Sequence, residues 1–223
     1  MPVYVAAAGR RRAALVLLTC LLVCGASQAR AAPRAYTIDA DASDLRVIVP
    51  RRGVLAPLAH DHVLVAKGIA GRMTFVPEAI GSSAGQLSIP VAFLDVDDAK
   101  ARLREGLAAE MTEGNRASVR ENMLAADQLN VAEFPRITAV LERAEGSLPN
   151  LVLHLRVRIR DQERPLDIPV TVSQSPDTLM ISGEMELLQS AFGITPYSTL
   201  FGAIAVQDAV RVKFEIVARA ANP

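Results

Sequence analysis

The stretch from Leu151 to Arg160 constrains the fold of this chain more than any other part of the sequence. Side chains at every second position of an extended strand lie on the same face, so an alternating pattern indicates a strand with two different faces. The apolar positions here are Leu151, Leu153, Leu155, Val157 and Ile159, and the polar ones are His154, Arg156, Arg158 and Arg160. The pattern predicts a β-strand with one buried and one solvated face.

The same alternation recurs along most of the chain, separated by turn residues. A turn is predicted at Asp161–Arg164, directly after the Leu151–Arg160 strand. The strand that follows this turn, Leu166–Val172, is therefore predicted to be its hairpin partner. The other predicted strands are Tyr36–Asp39, Leu45–Val49, Val63–Ala66, Gly71–Val76, Gln86–Leu94, Leu166–Val172, Leu179–Leu187 and Val210–Ile216.

Eight to ten strands with one apolar and one charged face are typical of an antiparallel sheet that is wet on one side. An open sheet of that length would leave an apolar face or two edges exposed, and closure removes both problems. The sequence therefore predicts an all-β fold, an antiparallel up-and-down β-barrel of about eight strands, lipocalin-like.

One segment, Leu94–Pro135, breaks the alternation and predicts a helical insert. Asp97 or Asp98 can cap a first helix with an apolar stripe of Leu103, Leu107 and Met111, which Gly114 and Asn115 would end. A second helix carries Val119 and Met123 one turn apart. Both stripes are narrow, so these helices are expected to lie on a surface or to cover a barrel end.

Five short motifs, in order, resemble those of the YceI-like family. They are Tyr36–Asp39, Gly71–Phe75, the Leu-x-x-x-x-Phe-Pro-x-Ile-Thr pattern of Leu129–Thr138, Ala191–Ile194 and Asp208–Ala218. The resemblance implies the same barrel fold. It also implies binding of a polyisoprenoid or another long apolar chain in an elongated pocket.

Residues 1–31 have the features of a signal peptide. Arg10–Arg12 form a basic region, Ala13–Gly25 is a short apolar region, and Ala29-Arg30-Ala31 is an Ala-x-Ala cleavage site. The apolar region is too short to span a bilayer comfortably. Cleavage after Ala31 would leave residues 32–223 as a single domain in the periplasm or outside the cell.

The remaining chain would be mildly acidic and free of cysteine. The full sequence has 24 basic and 24 acidic residues, and the predicted signal peptide removes four arginines, which leaves 20 against 24 and a net charge of −4. This balance gives no electrostatic basis for binding nucleic acid. No other stretch is long and apolar enough to cross a membrane.

A barrel of eight strands is either filled by its own side chains or holds one small ligand. The chain has no tryptophan and only 4% aromatic residues, so a cavity would be lined mainly by aliphatic side chains, which suit a hydrocarbon chain. The candidate lining residues are Val65, Phe75, Leu153, Leu155 and Val157. A solid core without a ligand is the alternative.

The segment Phe192–Val206 is the candidate for the cavity mouth. It contains Gly and Pro yet is rich in apolar residues, among which Phe192, Tyr197 and Phe201 are the ligand-binding candidates. Such a connection should not lie in water. It either folds over the barrel end, where it would touch a ligand, or forms a further strand.

His60-Asp61-His62 is the sharpest polar feature of the sequence. In an extended backbone His60 and His62 point the same way, as two metal ligands or two head-group contacts could. A third ligand is not identifiable, because the remaining histidine, His154, is predicted on the outer face of a strand. The segment is either a polar loop at the barrel rim without a ligand or a functional site. For a functional site we favour a head-group contact, for instance with a quinone oxygen or a phosphate, over a weak metal site.

Three functions are compatible with these features. The first is a non-enzymatic, cofactor-free periplasmic carrier for an amphiphilic isoprenoid-like lipid. The second is a metal-dependent enzyme that uses His60 and His62. The third is a ligand-free secreted interaction protein with a filled core and an exposed apolar patch near Phe201. No nucleophile, phosphate-binding or dinucleotide motif is present in the sequence, and a homodimer is left open.

Overall fold

The computed structural model describes residues 1–2, 33–107 and 111–221, and its strands and helices belong to one compact unit that begins at Ala31. The predicted signal peptide lies almost entirely outside the described residues and stays a prediction. The strands are β1 (Arg34–Ile38), β2 (Asp44–Val49), β3 (Arg51–Arg52), β4 (His62–Ala66), β5 (Ala70–Phe75), β6 (Ala84–Pro90), β7 (Leu94–Val96), β8 (Arg136–Ser147), β9 (Asn150–Ile159), β10 (Gln162–Gln174), β11 (Thr178–Leu188), β12 (Ser198–Thr199), β13 (Ile204–Val206) and β14 (Ala209–Ala220). The helices are α1 (Ala99–Arg104) and α2 (Glu113–Leu124).

Eight of the strands close into an antiparallel barrel, as the sequence predicts. Their order is β1-β5-β6-β8-β9-β10-β11-β14, and β14 returns to β1 through the pair Ile38 and Ala218. The long β14 closes the ring with its second half, while its first half pairs with β2 through Phe214 and Leu45. Strands β2, β4 and β7 therefore continue from β14 as a side branch of the same sheet.

The turn between β9 and β10 is shorter than the sequence predicts. Ile159 pairs with Gln162, so the turn consists of Arg160 and Asp161, and Arg160 has a left-handed φ of 57°. The prediction of a turn at Asp161–Arg164 was wrong because Gln162–Arg164 are polar residues of β10. Glu163 there pairs with Arg158 of β9, as charged residues on the outer face of a hairpin can.

The helical insert is present, but its first stripe is not. The Asp98 side chain caps α1 by accepting a hydrogen bond from Ala101 N. The helix ends at Arg104, Leu103 is exposed, and the buried positions are Ala101 and Arg102. An ion pair to Asp97 turns Arg102 inward, and this contact overrides the apolar pattern.

The second helix begins where the sequence predicts that a helix ends. Thr112 caps α2 by accepting from Asn115 N, so Gly114 and Asn115 lie in its first turn and do not stop a helix. Val119 and Met123 of α2 face the interior of the barrel region, as a helix over a barrel end should. Likewise β6 ends at Pro90 and not at Leu94, because a short 3₁₀ turn at Val91–Phe93 separates it from β7.

The segment Phe192–Val206 contains both a fold-over and strands. A 3₁₀ turn at Gln189–Phe192 is followed by β12, a second 3₁₀ turn at Leu200–Gly202 and β13. Strand β13 pairs with β12 and with β3, so a small separate sheet forms next to the ends of β2 and β11. Gln207 N donates to Pro50 O at 2.7 Å and fixes this sheet to the end of β2.

Candidate functional site

The barrel encloses a cavity of about 380 Å³. This volume lies in the range of pockets that bury a small ligand, roughly 300–1,000 Å³. Its walls are mainly aliphatic side chains from the inner faces of the strands. They include Ile38, Leu45, Leu64, Leu87, Ile89, Leu141, Leu151, Ile168, Val172, Leu179, Ile181, Met185, Leu187, Val210, Val212 and Ile216. The side chains therefore do not fill the barrel, which contradicts the filled core expected of a ligand-free protein.

Six of the ten candidate site residues line this cavity. The strand candidates among them are Phe75 on β5 and three consecutive inward positions of β9, and the other two are His62 and Tyr197. The three β9 residues are Leu153, Leu155 and Val157. The alternation of β9 therefore identifies a cavity wall.

Val65 lies on the opposite face of β4 from the cavity. His62 and Leu64 line the cavity, and because side chains alternate along a strand, Val63 and Val65 point away from it. They pack beneath α1, against Ala101. The assignment of Val65 to the cavity is corrected accordingly.

Three further candidates do not line the cavity. Phe192 is 1% exposed and does not line the cavity itself, but it packs in an apolar cluster with Val157, Ile159 and Ile194, which do. Phe201 is fully exposed at the tip of the small sheet, together with Leu200. His60 is partly buried and takes no part in the cavity wall. The expectation that an apolar connection would avoid water fails at Leu200 and Phe201.

Five polar side chains line the cavity at the end next to the helical insert, called the polar end here, and three further polar lining residues, Thr74, Ser83 and Gln86, lie on β5 and β6 or between them. His62 begins β4, Gln189 follows β11, Tyr197 precedes β12, and Asn122 and Gln128 belong to the helical insert; all five line the cavity. The segments meet there, since Gln128 Nε2 donates to Thr195 O at 3.0 Å and Val206 N donates to Tyr197 O at 3.0 Å. Asn122, Gln128 and Gln189 are not predicted from the sequence, because nothing local distinguishes them from surface amides.

Behind His62 lies a buried ionic network. His62 Nδ1 is 2.7 Å from Asp97 Oδ2, and Asp97 Oδ1 accepts from Arg102 Nη1 at 2.6 Å and from Val63 N at 3.0 Å. Arg102 also donates to Asp61 O at 2.9 Å. The side chain of Asp97 is 0% exposed and that of Arg102 is 5% exposed. Two charges out of water are tolerated here because each has several partners.

The backbone of Asp97 places its carboxylate. Asp97 has a left-handed φ of 53°, which non-glycine residues adopt only occasionally, and this turns the chain from β7 into α1. Asp97 N donates to Val63 O at 2.8 Å, so the backbone and the side chain both bind Val63. The carboxylate is thereby held against the first residues of β4.

Asp97 remains ionised in this network. Burial by itself would raise the pKa of Asp97, but the hydrogen bonds from His62, Val63 N and Arg102 outweigh it and hold the pKa below its ordinary value. An ionised carboxylate can only accept hydrogen bonds, so the proton between the two residues belongs to His62 Nδ1. Nε2 is the ring nitrogen left for a ligand.

The two histidines do not form a metal site together. Among residues 33–107 and 111–221, no group of three or more His, Cys, Asp or Glu side chains is placed to hold a metal ion. One ring nitrogen of His62 is hydrogen-bonded to Asp97, and His60 is not part of the cavity wall. The metal-dependent alternative therefore has no ligand set in the described part of the chain.

A closed antiparallel barrel around a largely apolar cavity is the architecture of lipocalin-like ligand-binding proteins. The sequence agrees with this class, because the model of the YceI-like domain family matches residues 36–218. The chain belongs to the YceI-like family, whose barrels bind hydrophobic ligands and are binding proteins rather than enzymes. No match to this chain is found among curated proteins.

Solved structures of the family have the same fold. BcnA of Burkholderia cenocepacia is 18% identical, with a TM-score of 0.61 over 81% of this chain and 98% of that one. The YceI protein of Campylobacter jejuni is 12% identical, with a TM-score of 0.53 over 70% of this chain and 84% of that one. At such identities the likeness shows the fold alone. Within the described residues, no helix is long and apolar enough to cross a bilayer.

Proposed function

We propose that the protein binds and carries an amphiphilic isoprenoid-like lipid, of the polyisoprenoid or quinone type, in the periplasm. The observation that supports this most directly is the largely aliphatic lining of the cavity, with a group of five polar side chains at one end. Aliphatic walls offer apolar contact without a preferred direction, so they accept a flexible hydrocarbon tail. The polar end then sets which way the ligand lies, with its head beside His62, Tyr197 and Gln128.

The first test is native mass spectrometry of the protein purified from its own periplasm, compared with a denatured sample. We expect a mass excess that disappears on denaturation and matches a prenyl lipid in a solvent extract. A protein without any excess, which also fails to take up prenyl alcohols or quinones after delipidation, would rule the proposal out.

A matched pair of substitutions on β11 tests whether the lipid occupies the barrel. Leu187 lines the cavity and its neighbour Leu188 points outward and is 47% exposed. Leu187→Trp places a bulky side chain into the cavity and should reduce lipid uptake at least tenfold, whereas Leu188→Trp should not. Equal uptake by the two variants would show that the lipid binds elsewhere. Because the natural chain has no tryptophan, the new indole also reports its surroundings by fluorescence.

A further inference from the structure

We propose that His62, held in a single tautomer by Asp97, selects lipids whose head group carries a hydroxyl donor, such as a prenyl alcohol or a quinol, over ethers and quinones. The inference rests on the proposed function and narrows its ligand class. It also reverses the expectation that His62 donates to a quinone oxygen or a phosphate.

The tautomer follows from the partners of Asp97. Its Oδ1 already accepts from Val63 N and Arg102, and its Oδ2 faces His62 Nδ1 at 2.7 Å. All three partners must donate, because an ionised carboxylate has no proton to give. A neutral imidazole carries one N–H, and here it is on Nδ1. Nε2 of the neutral ring therefore carries a lone pair and can only accept.

His62 offers this lone pair at the polar end of the cavity. Its side chain is 16% exposed and lines the cavity, and within the described residues Nε2 has no hydrogen-bond partner. A ligand hydroxyl would satisfy the acceptor. An ether or quinone oxygen would instead place a second acceptor against it, and a site built to bind a hydroxyl rejects analogues that lack one.

The other polar groups at this end do not discriminate between a ligand that donates a hydrogen bond and one that only accepts. Tyr197 has a hydroxyl that both donates and accepts. Gln128 Nε2 and Gln189 Nε2 already donate to Thr195 O and Gln207 O, but each amide keeps a second N–H and its oxygen, and the amide of Asn122 carries a donor and an acceptor as well. Such groups adapt to either kind of head group. Discrimination between a donor and an acceptor therefore depends on His62, with Asp97 as its positioning residue.

The test compares geranylgeraniol with its methyl ether, which share a tail and differ in the donor. Affinities are measured for delipidated protein at a pH at which ¹⁵N NMR shows His62 to be neutral. We expect the wild type to bind the alcohol at least tenfold more tightly than the ether. In His62→Leu the ratio should fall to about one while both still bind. Equal affinities in the wild type would overturn the inference, whereas a failure to bind either compound would overturn the proposed function with it.

Asp97→Asn tests the positioning role. The asparagine carbonyl can still accept from Val63 N and Arg102, which leaves its NH₂ facing His62 Nδ1. The imidazole should then carry its proton on Nε2, and the preference should reverse in favour of the ether. A merely structural role of Asp97 would lower both affinities without reversing their order. If this variant does not fold, the ¹⁵N spectrum of the wild type decides, since an Nε2–H tautomer there contradicts the inference.

Discussion

His62 and His154 make the same contact in two different parts of the molecule. In each, Nδ1 lies 2.7 Å from an aspartate oxygen, of Asp97 in one case and of Asp167 in the other. The histidine side chains are similarly exposed, at 16% and 21%, but the carboxylates are not, since Asp97 is 0% and Asp167 is 70% exposed. The difference between the two pairs therefore lies in the carboxylate.

The comparison shows that the distance within a pair does not reveal its role. Asp97 cannot exchange its partners for water, so it fixes the imidazole and depends on Arg102 and Val63 N. Asp167 is solvated on the outer face of β10, where ion pairs are screened and contribute little. Only the buried pair can hold a tautomer for a ligand.

The largest difference is expected in stability. Asp97→Ala removes the carboxylate that accepts from the buried Arg102 guanidinium and from Val63 N–H, and it should cost about 3–5 kcal/mol in the free energy of unfolding. Asp167→Ala should stay within about 0.5 kcal/mol of the wild type. Urea denaturation of both variants measures this.

A double variant shows how much of the cost comes from the buried charge of Arg102. Arg102→Met in the Asp97→Ala background removes that charge and should recover part of the loss. The comparison breaks down if Asp97→Ala and Asp167→Ala cost the same.

Acid should weaken the buried pair in a defined direction. The pKa of Asp97 in the folded protein lies below its ordinary 3.8, so the native state binds this proton less readily than the unfolded chain. The resulting stabilisation is complete above the unfolded pKa and is lost as the pH falls through the folded one. We therefore expect the stability gap between wild type and Asp97→Asn to close between about pH 5 and pH 2. A gap that stays constant over this range would mean that Asp97 does not titrate as its surroundings indicate.

Ligand affinity should distinguish the two histidines by a smaller amount. His62→Leu removes one hydrogen bond to the head group and should weaken alcohol binding about tenfold, or about 1.4 kcal/mol. His154 lies on the outer side of β9, so His154→Leu should change the affinity for the alcohol less than twofold. Titration calorimetry with geranylgeraniol measures both, and equal losses would remove His62 from the head-group site.

The sequence predicts one wall of the cavity, but it does not predict the ionic network behind His62. The alternation in β9 identifies Leu153, Leu155 and Val157 as a wall because period two is a local property of a strand. The contact between His62 and Asp97 spans 35 residues and forms only when β4 pairs with β7, so no local pattern contains it. The same alternation could have placed Val65 correctly. It is an odd number of positions from His62, so the two side chains cannot lie on the same face of β4.

The smallest effect concerns His154, and NMR can resolve it. The hydrogen bond to Asp167, with a further contribution from Glu145, holds the pKa of His154 above its ordinary 6.5. Any stabilisation by this pair is therefore present below the ordinary pKa and is lost as the pH rises through the raised one. Asp167→Asn should lower the pKa of His154, and 1 M salt should do so in the wild type, because the carboxylate is exposed and its field is screened. An imidazole titration that neither change affects would mean that Asp167 does not hold His154 in solution. The two pairs would then differ in geometry as well as in burial.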